Sequence, residues 1–343
     1  MDFLRTVFED QLELIKDTDG NAIIGGTVFT PVAILKADSG AYDDEFSKWF
    51  SDRWLPEQND CLDQIMENGT NKKRFAALCA ASENGQVVPL VVSGMSVPSG
   101  LPSWSLFLQS IRCLSTMSEE DLERLITVSA FEEAVEKLRQ TMPNLLFDEQ
   151  IENNLLIEKS KISGPIQFLP ELFDKLVLTT NLDDLLEQLY GDRKRSFSHV
   201  LAGDGIGLYR KVRASSERVL LKLHGDCRNR EGRVLSKTEY ESAYKNGSLI
   251  REELTMIYRT NSLLCIGCSL GQDRTVSLLS EVAKMDERMP RHYAFLQQPT
   301  DTEMLAREHF LTERDIFPIW YTGNHDDCIQ ALFVGMLQNL GKI

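Results

Sequence analysis

The sequence predicts an α/β fold: a doubly wound, Rossmann-like parallel sheet with an inserted helical small domain and an N-terminal extension. Three observations predict it. Short, nearly all-apolar runs recur, such as Gln86-Val-Val-Pro-Leu-Val-Val92, Val219-Leu-Leu-Lys-Leu223 and Ser262-Leu-Leu-Cys-Ile266. Strands buried on both faces read this way, without polar alternation. Helical stretches separate the runs, and strand–helix alternation gives parallel pairing through crossovers. Between the first run and the next lies a polar helical block, Ser118 to about Leu172, long enough to be an inserted small domain.

Taken in order, residues 1–85 form the extension. Phe3, Val7, Phe8, Leu12 and Ile15 have helical spacing, and Asn21 to Pro31 reads as a strand with a glycine turn, or a hairpin. Glu45–Trp54 and Cys61–Cys79 are helical candidates. This region could pack on the main domain or on another subunit. The first strand, residues 86–92, is followed by a Gly/Ser loop and a helix, Ser105–Leu114. The helical insertion covers about 115–172; Ser118 with Asp121 fits a helix start, and the repeated charges fit solvated faces. Further strands are Leu176–Leu178, Phe197–Leu201, Val219–Leu223, Ser262–Ile266, Arg291–Leu296 and Ile316–Tyr321. Gly203-Asp-Gly-Ile-Gly207 reads as a turn with no helix after it. Helices fit Thr238–Tyr244, Leu249–Thr260, the segment up to Met285, Thr302–Phe310 and Asp326–Leu340.

Composition narrows the function classes. The chain has 343 residues, 42% hydrophobic, enough for a full core. Its net charge of −15, with no long Lys/Arg run, disfavours nucleic-acid or acidic-membrane binding by the isolated chain. Seven irregularly spaced cysteines, no signal-peptide pattern and no membrane-length apolar run point to a cytoplasmic setting. Cys265-Ile-Gly-Cys268 lacks a second CxxC partner, so a structural zinc is not expected, and both cysteines read as buried within a strand.

Polar residues gather where these strands end, the edge at which open α/β sheets bind ligands. Lys175-Leu-Val-Leu-Thr-Thr-Asn-Leu-Asp-Asp-Leu-Leu-Glu187 runs from strand into helix and delivers Thr180, Asn181 and Asp183. By itself this also reads as an ordinary helix start, Asn181 capping and Asp183 complementing the dipole. Ser93-Gly-Met-Ser-Val-Pro-Ser-Gly-Leu-Pro-Ser-Trp104 has the layout of a phosphate loop before a helix N-terminus, although Gly94 and Gly100 do not make GxGxxG. His224-Gly-Asp226 places a histidine at a strand end, suited to acid–base work or simply hydrogen-bonded in a loop. The turn after residue 266 carries Gly267, Ser269 and Asp273, which could hold a ribose and adenine.

Together these four strand ends resemble the sirtuin family, as found in the sirtuin-like NAD-hydrolase domains of bacterial antiphage systems. The resemblance covers about residues 86–325. The loop 93–104 is similar to the family's Gly-Ala-Gly-x-Ser-x-x-Ser-Gly-Leu-Pro, and Thr179-Thr-Asn-Leu-Asp183 to its Thr-x-Asn-x-Asp. Leu223-His-Gly225 resembles the motif carrying the family histidine, and Ile266-Gly-Cys-Ser-Leu270 the Gly-x-Ser-Leu turn at the cofactor's ribose. Two departures stand out. Val92 replaces the family's first glycine, which is expected to hinder a tight turn. The four-cysteine zinc ribbon of the protein-deacylating sirtuins is missing, which moves the reading from acyl-lysine removal to NAD+ cleavage.

The resemblance implies a sirtuin-type NAD-binding domain over 86–343 that hydrolyses NAD+ to nicotinamide and ADP-ribose. Cleaving the nicotinamide–ribose bond builds positive charge on the ribose, as in glycoside cleavage. Asp183 would stabilise that charge or hold the nicotinamide amide, Asn181 would bind the ribose or position water, and His224 would accept a proton. Gly94, Ser96 and Ser99 would line the phosphates, and Thr180, Gly267, Ser269 and Asp273 would complete the cofactor site. The alternatives are an NAD or ADP-ribose binding scaffold and, further off, a deacylase or ADP-ribosyltransferase. The chain shows no sensor domain apart from residues 1–85, so control is expected from assembly: a homo-oligomer, or a partner such as a HerA-type ATPase, by family resemblance.

Overall fold

The computed structural model describes residues 2–14, 22–24, 27–156, 162–270, 274–283 and 289–343. Ile15, the Gly25-Gly26 pair and Met285 therefore lie outside the described residues. A two-stranded antiparallel pair, β1 (Ala22–Ile24) and β2 (Thr27–Phe29), lies near the N-terminus. The main sheet has seven strands: β3 (Val87–Val91), β4 (Leu176–Thr179), β5 (His199–Ala202), β6 (Val219–Lys222), β7 (Ser262–Ile266), β8 (His292–Gln297) and β9 (Ile316–Tyr321). Their order is β5-β6-β4-β3-β7-β8-β9, and every pair is parallel. From β3 the chain builds outward through β4, then returns to add β7 on the other side. The point of reversal opens a crevice at the carboxyl ends of β3, β4 and β7, the usual ligand position in such a sheet.

The apolar runs are continuous because both faces are covered. Val91, Val177, Leu220 and Ile266 point into one core, while Leu90, Leu178, Leu221 and Cys265 point into the other. The helices Leu185–Asp192 and His325–Asn339 cover the first face, and Leu249–Thr260 covers the second.

The N-terminal region shares the first core rather than standing apart. Trp54 is fully buried and stacks on Phe168 with ring centroids 6.3 Å apart. The predicted single helix over 61–79 is two helices, Leu55–Met66 and Asn71–Glu83. The second supplies Asn71, whose Nδ2 donates to Trp320 O (2.6 Å) and whose Oδ1 accepts from Trp320 N (3.0 Å). Arg74 donates to Pro318 O at 2.8 Å. These side chains occupy polar backbone groups along the outer edge of β9, the groups an edge strand would otherwise offer to another chain.

The insertion starts and ends earlier than expected. Helices Trp104–Ile111, Glu119–Thr127, Phe131–Thr141 and Asn144–Leu155 enclose a separate core around Phe107, Leu138, Phe147 and Ile151. Ile166, Phe168 and Leu169 already belong to the main core. Two further expectations are corrected. Gly203–Leu208 is a 3-10 helix that leads into a short helix, Tyr209–Val212, so a helix does follow the glycines. Cys265 is buried in β7, but Cys268 lies beyond the strand end and is half-buried.

Candidate active site

A cleft of about 310 Å³ opens at the carboxyl edge of the sheet, within the ~300–1,000 Å³ usual for small-molecule sites. Its floor comes from four strand ends: Val92, Ser93 and Ser96 after β3; Thr180, Asn181 and Asp183 after β4; His224 after β6; Gly267, Cys268 and Ser269 after β7. Trp104, Phe131, Glu132 and Leu155 of the helical insertion form the facing wall. The insertion thus acts as a cap over the sheet edge.

Ser96 is the hub of the floor. Its Oγ accepts from Asn181 Nδ2 at 3.0 Å and donates to Asp183 Oδ2 at 3.0 Å. Asp183 Oδ1 accepts from Leu185 N at 3.1 Å, at the start of helix Leu185–Asp192. Asp183 therefore serves the helix start, as expected. Asn181 does not cap it, because the helix begins at Leu185 and the amide turns to Ser96 instead. Among the described residues, no bond occupies Asn181 Oδ1. Burial drives the Asp183 carboxyl above its ordinary pKa, against the nearby Lys222 ammonium and its two hydrogen bonds.

The loop from 93 to 100 differs from a phosphate cradle. The N–H groups of Met95, Ser96, Ser99 and Gly100 donate within the loop, and Gly94 N donates to Gly267 O at 3.0 Å. Gly94 is glycine for packing: a Cβ there would lie 2.6 Å from Gly267 O. At Gly267, with φ +74°, a Cβ would lie 2.7 Å from Met95 N. The β3 and β7 loops thus touch backbone to backbone. Gly94 and Ser99 do not reach the cleft wall; Ser99 Oγ instead donates to Ser163 O (3.2 Å) and accepts from Ser163 N (3.1 Å). Val92 does not strain the turn. Its φ of −121° and ψ of 170° are extended values that a β-branched residue adopts freely. Of the turn after β7, Ser269 is exposed at the cleft, its carbonyl and that of Leu270 held by Arg307, while Asp273 lies outside the described residues.

His224 sits between two phenols. Tyr240 Oη is 3.0 Å from Nδ1 and Tyr244 Oη 3.0 Å from Nε2. Nothing singled out these tyrosines beforehand, although their i,i+4 spacing puts them on one helix face. Lys222 was also missed, since a lysine ending an apolar run reads as surface. It is fully buried, and Nζ donates to Leu182 O (3.2 Å), Asp183 O (2.7 Å), Glu187 Oε1 (2.8 Å) and Asp226 Oδ2 (2.5 Å). Burial opposes its charge, but Glu187 and Asp226 outweigh that and hold its pKa above the ordinary value. Lys222 thereby fixes the backbone that carries Asp183. Among the described residues, no three His, Cys, Asp or Glu side chains cluster as a metal site needs.

Residues 175–319 match the model of the SIR2-like domain. The matched segment holds Thr180, Asn181, Asp183, His224, Gly267 and Ser269, while the loop from 93 to 104 precedes it. Over 221 residues the chain is 27% identical to Defense-associated sirtuin 2 of Bacillus subtilis. That match covers 60% of this chain and 20% of the relative, so the chain spans about a fifth of the relative's length. No described helix is long and apolar enough to cross a membrane.

Proposed function

We propose that the SIR2-like domain hydrolyses NAD+ at the nicotinamide–ribose bond and serves as an NAD-depleting effector in bacterial antiphage defence. The observation that carries this reading is the Asn181–Ser96–Asp183 network facing the same cleft as His224. In this reading Asp183 faces the charge that grows on the ribose, Asn181 Oδ1 binds a ribose hydroxyl or water, and His224 draws off a proton. The N-terminus of helix Trp104–Ile111 lies on the cleft wall at Ser103, Trp104 and Ser105, and its dipole suits the pyrophosphate. Thr180, Gly267 and Ser269 would take the remaining cofactor contacts.

The loop after β3 has most of its amides engaged with itself and with Gly267, so cofactor entry is tied to a rearrangement there. We connect that rearrangement to assembly, as a homo-oligomer or with a partner such as a HerA-type ATPase. Residues 1–85 are the candidate surface for it. The defence role rests on the name of the Bacillus subtilis relative and on the family match. The test is NAD+ cleavage by purified protein, alone and with candidate partners, followed by product analysis. Asn181→Ala and His224→Ala should each lower turnover by about 10²–10⁴-fold. Cleavage unchanged in both variants would refute the site, and NAD+ recovered intact under every condition would favour a binding scaffold.

A further inference from the structure

His224 is 5% exposed, and both ring nitrogens already have phenol partners at 3.0 Å. A neutral imidazole has one N–H and one acceptor nitrogen. One tyrosine must therefore donate to it while the other accepts. Tyr240 lines the cleft, whereas Tyr244 is buried behind the ring. His224 lines the cleft beside Tyr240, so a bound substrate faces a Tyr240 oxygen already hydrogen-bonded to Nδ1 of the imidazole.

Tyr240 is also held firmly. It lies on helix Lys237–Ala243, which starts with a reciprocal capping box between Ser236 and Glu239. Glu239 pairs with Arg139 at 2.5 Å, and Thr238 Oγ1 donates to Glu136 at 3.0 Å, both partners on helix Phe131–Thr141 of the cap. The Tyr240 and His224 rings meet edge to face at 4.8 Å. A phenol so anchored, hydrogen-bonded to the imidazole and facing the same cleft, is placed to conduct protons rather than to swing aside.

We propose that Tyr240 is a catalytic residue through which His224 acts on the substrate, with Tyr244 as a positioning residue that sets the tautomer. The proposal rests on NAD+ hydrolysis as the reaction. In the step, the C1′–N bond to nicotinamide breaks and its electron pair leaves with neutral nicotinamide. Water oxygen bonds to C1′. The water proton passes to the Tyr240 oxygen as the Tyr240 proton passes to His224 Nδ1. The resulting imidazolium keeps its Nε2–H on the Tyr244 oxygen and later releases one proton to solvent. The sum is NAD+ plus water to ADP-ribose, nicotinamide and a proton.

The relay requires Nδ1 to be the acceptor in the resting protein. Nitrogen NMR of 15N-histidine-labelled full-length protein above neutral pH, with His224→Gln for assignment, reads this directly. Protonated Nε2 and bare Nδ1 are expected; a proton on Nδ1 would overturn the proposal. In kinetics, Tyr240→Phe should lower kcat by about 10²-fold or more while KM stays within about threefold. It should also lose the solvent deuterium effect on kcat, and Tyr244→Phe should mix the two tautomers. Turnover by Tyr240→Phe at or above the wild-type rate would mean the phenol obstructs the site, and would refute the relay. Absence of NAD+ cleavage by the wild type would strike the proposed function instead, and the tautomer would still decide whether the relay is built.

Discussion

The Ser96 hydroxyl donates to Asp183 Oδ2 at 3.0 Å while accepting from Asn181, and so locks the loop after β3 to the turn after β4. Ser96→Ala leaves a buried carboxylate oxygen and an amide N–H without this partner. We expect a stability loss of about 1–3 kcal/mol and a clear drop in kcat for NAD+ cleavage. Urea unfolding and steady-state kinetics on the same preparation check both. A variant of unchanged stability would show that water replaces the hydroxyl without cost.

Asp183 should trade stability for function. Its carboxyl has a raised pKa in the folded protein because it is buried. The folded state therefore holds that proton more tightly than the unfolded chain, and stability falls as pH rises through the raised value. Above it the charged group carries its full burial cost. Asp183→Asn removes the charge and can keep the bond from Leu185 N, while the contact with Ser96 survives only reversed, the new amide N–H donating to Ser96 Oγ. We expect a melting temperature higher by ~2–4 °C at neutral pH, with the advantage shrinking in acid, and turnover reduced about 10²–10³-fold.

Lys222 ties two carbonyls and two carboxylates in the interior. Lys222→Met would leave Glu187 and Asp226 as uncompensated charges. A loss of about 3–5 kcal/mol is expected from urea denaturation at neutral pH. Restoration to near wild type by the triple change Lys222→Met, Glu187→Gln, Asp226→Asn would confirm that the cost lies in the unpaired carboxylates.

His292 should make the fold acid-sensitive. It is fully buried at the start of β8, accepts Leu263 N–H of the neighbouring β7 at Nδ1, and burial lowers its pKa from 6.5 to about 3. The unfolded chain binds the proton first on acidification, so stability is intact above 6.5 and declines as pH falls towards 3. The share of this residue between pH 6.5 and about pH 5 is about 2 kcal/mol. His292→Asn, which can still accept from Leu263, should flatten the pH dependence of the urea midpoint over that range.

Asn71 should prove part of the fold rather than of a detachable extension. Asn71→Leu deletes the bonds to Trp320 N, Trp320 O and Ile65 O and leaves the two Trp320 groups unpaired, while Ile65 O keeps its bond from Asn68 N. A destabilisation of about 2–4 kcal/mol is expected in urea unfolding. Removing residues 1–85 should yield aggregates in light scattering, because the β9 edge and the Phe168 face lose their cover.

The seven strands were legible because a parallel strand buried on both sides has a plain signature, an apolar run followed by small and polar residues. The four strand ends were legible for the same reason, and parallel order sends all of them to one edge. The helix start at Leu185 was harder. Asn181, Asp183 and Asp184 are all of the residue types that cap helices. Only the observed backbone separates a side chain that serves the helix start from an amide that reaches Ser96. Lys222, Tyr240 and Tyr244 gave weak signals, since a lysine after an apolar run and two tyrosines on a helix are ordinary surface features.

By itself the sequence determined the sheet, its parallel sense and the edge at which chemistry could gather, because periodicity and burial are local properties of each segment. Tertiary structure alone decided which polar groups meet there. Ser96 and Asp183 are 87 residues apart and Lys222 and Asp183 are 39 apart, yet they bond directly. Such pairings follow from strand order and loop register. A hydrogen bond forms or fails over less than an ångström, and no local pattern carries that distance.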